Sequence, residues 1–293
     1  MRSLTGEASA CASATVVNAI ATGKGAAFGV DLRVKAKAKL IRGERGVKGH
    51  ITGADSESPR LIEICARKVM EELGIEKTHG AKIETDQGIP IAVGLSSSSA
   101  AANAAVLATL AAAGADPDID KALEIGIDAA FEAGVTVTGA LDDAAASIYG
   151  CGVITDNLKR KILKKFRISR RLDVLIYIPP AKSYSSKIRT GDLRPIKEAA
   201  DFAHEMAMKG RIMEAMMLNG ALYAGALNQD PTPAIEAIAE GALAAGLTGT
   251  GTATVAIVRP DDASGIEKIW GKRAGRIIKT KPALRGAMVD KHA

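Results

Sequence analysis

The sequence predicts an α+β protein in two domains. Three observations carry that reading. Strand-type and helix-type stretches are mixed along all 293 residues, a length with room for two cores. Apolar, β-branched runs at 173–178 and 254–258 read as buried strands and 276–280 as a last strand, while 59–73, 98–113 and 116–134 carry helical patterns. The composition shifts near Gly150–Gly152, which places the expected division at 1–152 and 153–293.

Taken in order, Thr15 to Ile20 reads as a strand and 21–32, with Gly23, Gly25 and Gly29, as a loop. Residues 34–41 alternate lysine with apolar residues, the signature of a strand with one face in water. The glycine-rich, charged stretch 42–58 reads as loops or a hairpin. Pro59 to Leu73 is an amphipathic helix stopped at Gly74, and Ala81 to Thr85 a strand. A nearly uncharged helix, expected to be buried on most sides, runs from Ser98 to about Ala113. Asp116-Pro117 opens the next helix, which ends at Gly134. After the shift near Gly150–Gly152 come a basic stretch at 157–171 and a polar loop at 182–195. Helices follow at 196–228 and 231–245, then a glycine turn at 247–252 and a helix at 262–274.

Only 3% of the residues are aromatic, so the core must be built from small and aliphatic side chains in close approach. The formal net charge of +6 suits anionic ligands or nucleic acid and does not choose between them. Cys11, Cys65 and Cys151 have no metal-ligand spacing, as expected in a reducing cytoplasm. The segment before Cys11 has Glu7 and no apolar core of a signal peptide. The apolar run 100–115 is too short to span a bilayer, so no membrane association is expected.

The stretch most suited to chemistry is Gly94-Leu95-Ser96-Ser97-Ser98-Ser99-Ala100, a turn that enters the uncharged helix. The first turn of a helix has unpaired N–H groups and the positive end of the dipole, which together favour a phosphate. Four serines exceed what one helix cap needs. Neither the Walker A pattern at Gly23-Lys24 nor the dinucleotide fingerprint at Gly249-Thr-Gly251 is complete. Phosphoryl transfer needs a phosphate cradle, a cation, a metal ligand and a carboxylate near the acceptor hydroxyl. The serine turn, the segment around Lys24 and Gly139-Ala-Leu-Asp142-Asp143 offer these in small-residue loops.

Pro90-x-x-x-Gly94-Leu95-Ser-Ser97-Ser98 resembles the second motif of the GHMP kinases, and Leu247-Thr-Gly-Thr-Gly-Thr-Ala253 their C-terminal glycine motif. Asn18 to Gly29 and Thr138 to Ala144 narrow the resemblance to the archaeal type of shikimate kinase within that family. The family usually has glycine where this chain has Ser96. The resemblance implies a two-domain GHMP fold, with an N-terminal domain like ribosomal protein S5 domain 2 and a ferredoxin-like C-terminal domain. It implies ATP and Mg²⁺, with ATP between the domains. Gly94 to Ala100, Gly249 and Gly251 would bind the phosphates, and Ser98 with Glu132 would hold the metal. Asp142 would be the catalytic carboxylate, with Lys24 beside it. Thr138, Asp143, Lys187 and Arg189 are candidates for shikimate, the last because a guanidinium matches a carboxylate. Either aspartate also suits the cap of the following helix. Two other readings stay open. One is a kinase of the same fold acting on homoserine, pantoate or mevalonate. The other is an RNA-binding protein using the basic stretch.

Overall fold

The computed structural model describes residues 4–86, 88–180 and 190–290. Strands β1 (Thr5–Val17) and β2 (Lys24–Arg42) form a long antiparallel hairpin, paired from Thr5↔Lys39 to Val17↔Ala26. The expected loop at 21–32 is therefore mostly strand, and β1 stops at Val17. Gly25, Ala26, Ala27 and Gly29 are small because helices press on them: a Cβ on Gly29 would lie 3.1 Å from the Ala146 carbonyl oxygen. Small residues here mark close packing of backbones, which composition alone confuses with a turn.

Strand β3 (Val47–Ile51) and strand β4 (His79–Thr85) run parallel and are joined by α1 (Arg60–Glu72). Of the loops or hairpin expected at 42–58, the structure has loops on either side of one edge strand, β3. Beyond β4 come α2 (Ser97–Ala112), α3 (Ile119–Ala133) and α4 (Leu141–Tyr149). Helix α3 is capped by Asp118, whose carboxylate accepts from the Asp120 and Lys121 amides, one short step past the expected Asp116-Pro117. Helix α2 lies so close on β1 that a Cβ on Gly6 would sit 2.3 Å from the Ala112 nitrogen. This contact explains the alanine-rich, uncharged helix.

Strands β5 (Gly152–Asp156) and β6 (Lys161–Phe166) extend the same sheet, β5 pairing with the first residues of β2 where β4 pairs with the last. The division expected at 152/153 falls at the start of β5, so both strands after it belong to the first sheet. The basic stretch becomes the lysine-rich edge strand β6, whose Lys161, Lys164 and Lys165 are in water.

The second lobe runs β7 (Asp173–Ile178), α5 (Lys197–Met208), α6 (Ile212–Ala226), α7 (Thr232–Ala239), β8 (Ala244–Leu247), β9 (Thr254–Val258), α8 (Ala263–Trp270) and β10 (Arg276–Thr280). Its sheet is antiparallel in the order β10-β7-β9-β8. Counted within the lobe this is 4-1-3-2 with helices in the ferredoxin-like places. The helix expected to reach Ala245 ends at Ala239, because Gly241 takes φ +96° and Ala244–Leu247 pairs with β9. A last short strand, β11 (Met288–Asp290), returns to pair with β1.

The chain crosses between lobes twice, at 167–172 and after β10. Both crossings meet beside Asp31 on β2. Arg170 pairs with its carboxylate at 3.1 Å, and its amide donates to the Lys281 carbonyl at 2.9 Å. All three cysteines are free thiols. No helix among the described residues is long and apolar enough to cross a membrane.

Candidate active site

The serine turn is a strained piece of backbone. Ala92 (φ +57°), Gly94 (φ +92°) and Ser96 (φ +55°) all lie in the left-handed region before α2 begins at Ser97. Ser96, standing where a glycine was expected, adopts the glycine conformation, at a cost of about 1–2 kcal/mol. Two anchors hold it. Leu95 is buried in the core, and the Ser96 side chain is hydrogen-bonded to Asp143. No side chain caps α2, and its first turn has no acidic residue. The amides there have no intrahelical partner, which makes the turn a receptor for an anion.

Two cavities meet at this turn and share Gly94, Ser96, Ser98, Val135 and Thr250 as lining. The first has a volume of about 270 Å³ and aliphatic walls, with Ile51, Leu61, Ile62, Ile89 and Ile91 prominent. The second is smaller, about 130 Å³, and polar: Thr15, Asn18, Ser99, Thr136, Thr138, Asp142 and Asp143 line it.

Helix α4 presents two adjacent aspartates with different surroundings. Asp142 is 4% exposed. Its Oδ1 accepts from Asn157 Nδ2 at 2.8 Å, and the missing side chain of Gly25 makes room for its Oδ2. Burial, seconded by the neighbouring Asp143 charge, raises its pKa well above the ordinary carboxylate range, with the Asn157 bond opposing. Asp143 is instead clasped by two hydroxyls, Ser13 at 2.9 Å and Ser96. Burial raises its pKa too, and both hydroxyls oppose the rise. Asp143 therefore ties the serine turn to β1 through two hydroxyls, whereas Asp142 has no hydroxyl clasp and meets Asn157 and the bare strand at Gly25.

Several expected members stand elsewhere. Lys24 does not line the second cavity; its ammonium pairs with Asp201 on α5 at 2.8 Å, across the lobes. That pair raises the Lys24 pKa. The physical reason is strand alternation: residue 24 opens β2, so Lys24 and Gly25 face opposite ways, and Gly25 is the one that meets Asp142. Glu132 lines neither cavity. It is paired with Arg67 and with Lys68 on α1, and these cations lower its pKa, the Lys68 bond foremost. Thr138 does line the second cavity and accepts from Asn157 Nδ2 at 3.3 Å. Lys187 and Arg189 lie outside the described residues. Gly249 and Gly251 pack backbone to backbone on the serine turn, where a Cβ on Gly251 would be 2.0 Å from the Val93 carbonyl carbon.

Sequence reasoning passed over Asn157, Thr15 and Thr248. Thr15 makes two bonds to the second turn, its N–H donating to Thr248 Oγ1 at 3.0 Å and its Oγ1 accepting from the Gly249 N–H at 2.8 Å. Asn157 lay hidden in a basic stretch. The available signal was the pair Thr155 and Asn157, two apart at the end of a buried strand and therefore on one face.

Comparison with known proteins shows the family. Residues 60–151 match the model described as GHMP kinases N terminal domain, and residues 186–276 match that described as GHMP kinases C terminal. The chain is 44% identical to a shikimate kinase of Methanothrix thermoacetophila over 96% of its own length and 95% of the relative's. It is 41% identical to a shikimate kinase of Methanosarcina acetivorans, covering 97% of each. Among solved structures, homoserine kinase from Cytophaga hutchinsonii superposes with a TM-score of 0.77 at 20% identity, covering 99% of this chain and 98% of that one. L. major mevalonate kinase in complex with R-mevalonate gives 0.74 at 15% identity, covering 96% and 98%. The motifs, the two sheets and the near full-length similarity converge: the chain belongs to the GHMP kinases, and within them to the shikimate kinases.

Proposed function

We infer that the chain carries out the reaction of its family, transfer of the γ-phosphoryl group of ATP to the 3-hydroxyl of shikimate. One observation carries the residue-level reading: an aliphatic cavity and a polar cavity with a buried carboxylate meet at a single helix-opening turn. The nucleoside of ATP suits the aliphatic cavity. Its phosphates suit the turn from Gly94 to Ala100, where α2 supplies unpaired amides and the serines supply hydroxyls. Shikimate suits the polar cavity, with Thr138 among its contacts. Asp142 takes the proton of the attacking hydroxyl, or orients it, as the new O–P bond forms and the bond to the bridging oxygen breaks, releasing ADP. A raised carboxylate pKa brings a base nearer to working pH, which favours such proton transfer.

Mg²⁺ binds few protein ligands, keeping waters and substrate phosphate oxygens. The Ser98 hydroxyl, in the lining common to both cavities, fits that hard-oxygen chemistry. Glu132, tied to Arg67 and Lys68, has its charge already met and is left out of the proposal. When bound, the metal neutralises charge on the phosphates. Lys24 enters the proposal through Asp201, as a tie between the lobes beside the site. No lysine or arginine is among the described residues lining the polar cavity. The shikimate carboxylate is therefore assigned to Lys187 and Arg189, on chemistry alone. The two-unit division enters with β5, β6 and β11 counted in the first unit.

The test is turnover with ATP over a panel of shikimate, homoserine, pantoate and mevalonate. Turnover is expected with shikimate; none with shikimate but turnover with another alcohol would sink the substrate assignment. Asp142→Asn should lower kcat by roughly 10²–10⁴ and leave ATP affinity in place.

A further inference from the structure

Asn157 stands one residue past β5, and its backbone is fixed on both sides. Its amide donates to the Gly23 carbonyl at 2.7 Å, and its carbonyl accepts from the Arg160 amide at 3.2 Å. Its side chain is 3% exposed. The Thr155 hydroxyl donates to Asn157 Oδ1 at 2.7 Å. With the oxygen so engaged, the NH₂ group must face the other way, and it donates to Asp142 Oδ1 at 2.8 Å and to Thr138 Oγ1 at 3.3 Å. On the opposite side of Asp142, a Cβ on Gly25 would come within 2.5 Å of Oδ2. The carboxyl is thus held between a fixed donor and a bare strand.

The charged and titratable surroundings leave Asn157 a distinct task. Asp143, on the same helix, opposes ionisation of Asp142. Tyr223 on α6 is near enough for the Asp142 charge to raise its pKa, and its phenol is spent on the Asn18 carbonyl at 2.9 Å. Lys24 on β2 is paired with Asp201, and β5 sends only its Thr155–Asn157 face. A neutral N–H donor favours the ionised carboxylate and costs no second buried charge.

We propose that Asn157, oriented by Thr155, is the positioning residue of this kinase. It fixes the Asp142 carboxyl in one rotamer toward the acceptor cavity and supports its ionised form. The same amide reaches Thr138, so one side chain sets both the base and a wall of the acceptor cavity. The proposal rests on the reading of Asp142 as the reacting carboxylate.

The experiment uses the full chain with ATP and shikimate, comparing Asn157→Ala and Thr155→Val with the parent. Kinetic pH profiles are paired with carboxyl ¹³C NMR, the Asp142 signal being assigned by its loss in Asp142→Asn. Loss of a donor to the ionised form raises the Asp142 pKa, so the acid limb of kcat should move to higher pH in Asn157→Ala. kcat should fall by roughly tenfold or more while KM for ATP changes little. Thr155→Val should move the limb the same way by less, since the amide remains but can turn over. A kcat that drops equally at every pH, with the limb unmoved and melting lowered, would make Asn157 merely structural. The NMR titration is independent of turnover. If Asp142→Asn keeps its kcat, the reading of Asp142 fails. An Asp142 signal that titrates at one pH in parent and Asn157→Ala overturns the positioning role itself.

Discussion

The molecule has two turns rich in glycine and hydroxyls, at 92–99 and at 248–251, and they do opposite work. The first stores strain: three left-handed residues, two of them not glycine, lead into an uncapped helix beside the buried Asp142 and the half-buried Asp143. The second is seated on the first. Thr248 receives the Thr15 amide and donates to the Gly94 carbonyl at 3.0 Å, and the Ala253 amide donates to the Val93 carbonyl at 3.1 Å. Similar composition thus leaves helix-opening amides without an intrahelical partner in one place and seats backbones closely in the other. What separates them is whether the polar groups are already satisfied.

Substitution should pull the two apart on separate axes, stability for one and rate for the other. The largest stability effect belongs to Gly251→Ala, whose Cβ would fall 2.0 Å from the Val93 carbonyl carbon. A loss of roughly 3 kcal/mol or more in urea unfolding is expected, or no folded protein. Normal stability there would return Gly251 to the ligand side of the comparison. Thr248→Val keeps the shape and strands the buried Thr15 amide, for a loss of about 1–3 kcal/mol.

Asp142→Asn should shift stability the other way. Its carboxyl has a folded pKa raised by burial and by Asp143, so the folded state binds that proton more tightly than the unfolded chain. Stability is then greatest at acid pH and declines as pH rises from the unfolded pKa through the raised one. Asparagine removes the decline. The gain should be absent at acid pH and grow toward neutrality to roughly 2–4 °C in Tm. Equal melting of variant and parent at neutral pH would contradict the burial argument. The smallest stability change is expected for Ser98→Ala, within about 0.5 kcal/mol, because Ser98 is exposed. Its kcat should fall on the order of tenfold to hundredfold, measured at saturating substrates. A stability loss like that of Thr248→Val would place Ser98 among the packing residues.

Much of the fold could be read from residue order. The runs at 173–178, 254–258 and 276–280 are strands as expected, the first two buried and the last half-exposed, because β-branched stretches bounded by prolines or glycines have few alternatives. The first half of β2 was missed because glycine and alanine signal turns locally, whereas here they admit helix backbones. Strand β8, Ala244–Leu247, reads like the end of a helix; pairing with β9 overrides that propensity. In the site, the serine turn and Asp142 were visible because local chemistry defines them. The placement of Lys24 depends on strand phase, and that of Glu132 on cations from α1, 64 and 65 positions earlier. Such pairings are set by tertiary approach and leave no local trace.

The two passages between lobes touch the same residue, Asp31, through Arg170 on one side and Lys281 on the other. One residue thereby fastens both passages to β2. The turn at 248–251, seated on Val93 and Gly94, joins the lobes a second time, so they are held at two separate places. Asp31→Ala removes the exposed Arg170 ion pair and leaves the backbone bond to Lys281 in place, so urea unfolding should lose no more than about 1 kcal/mol.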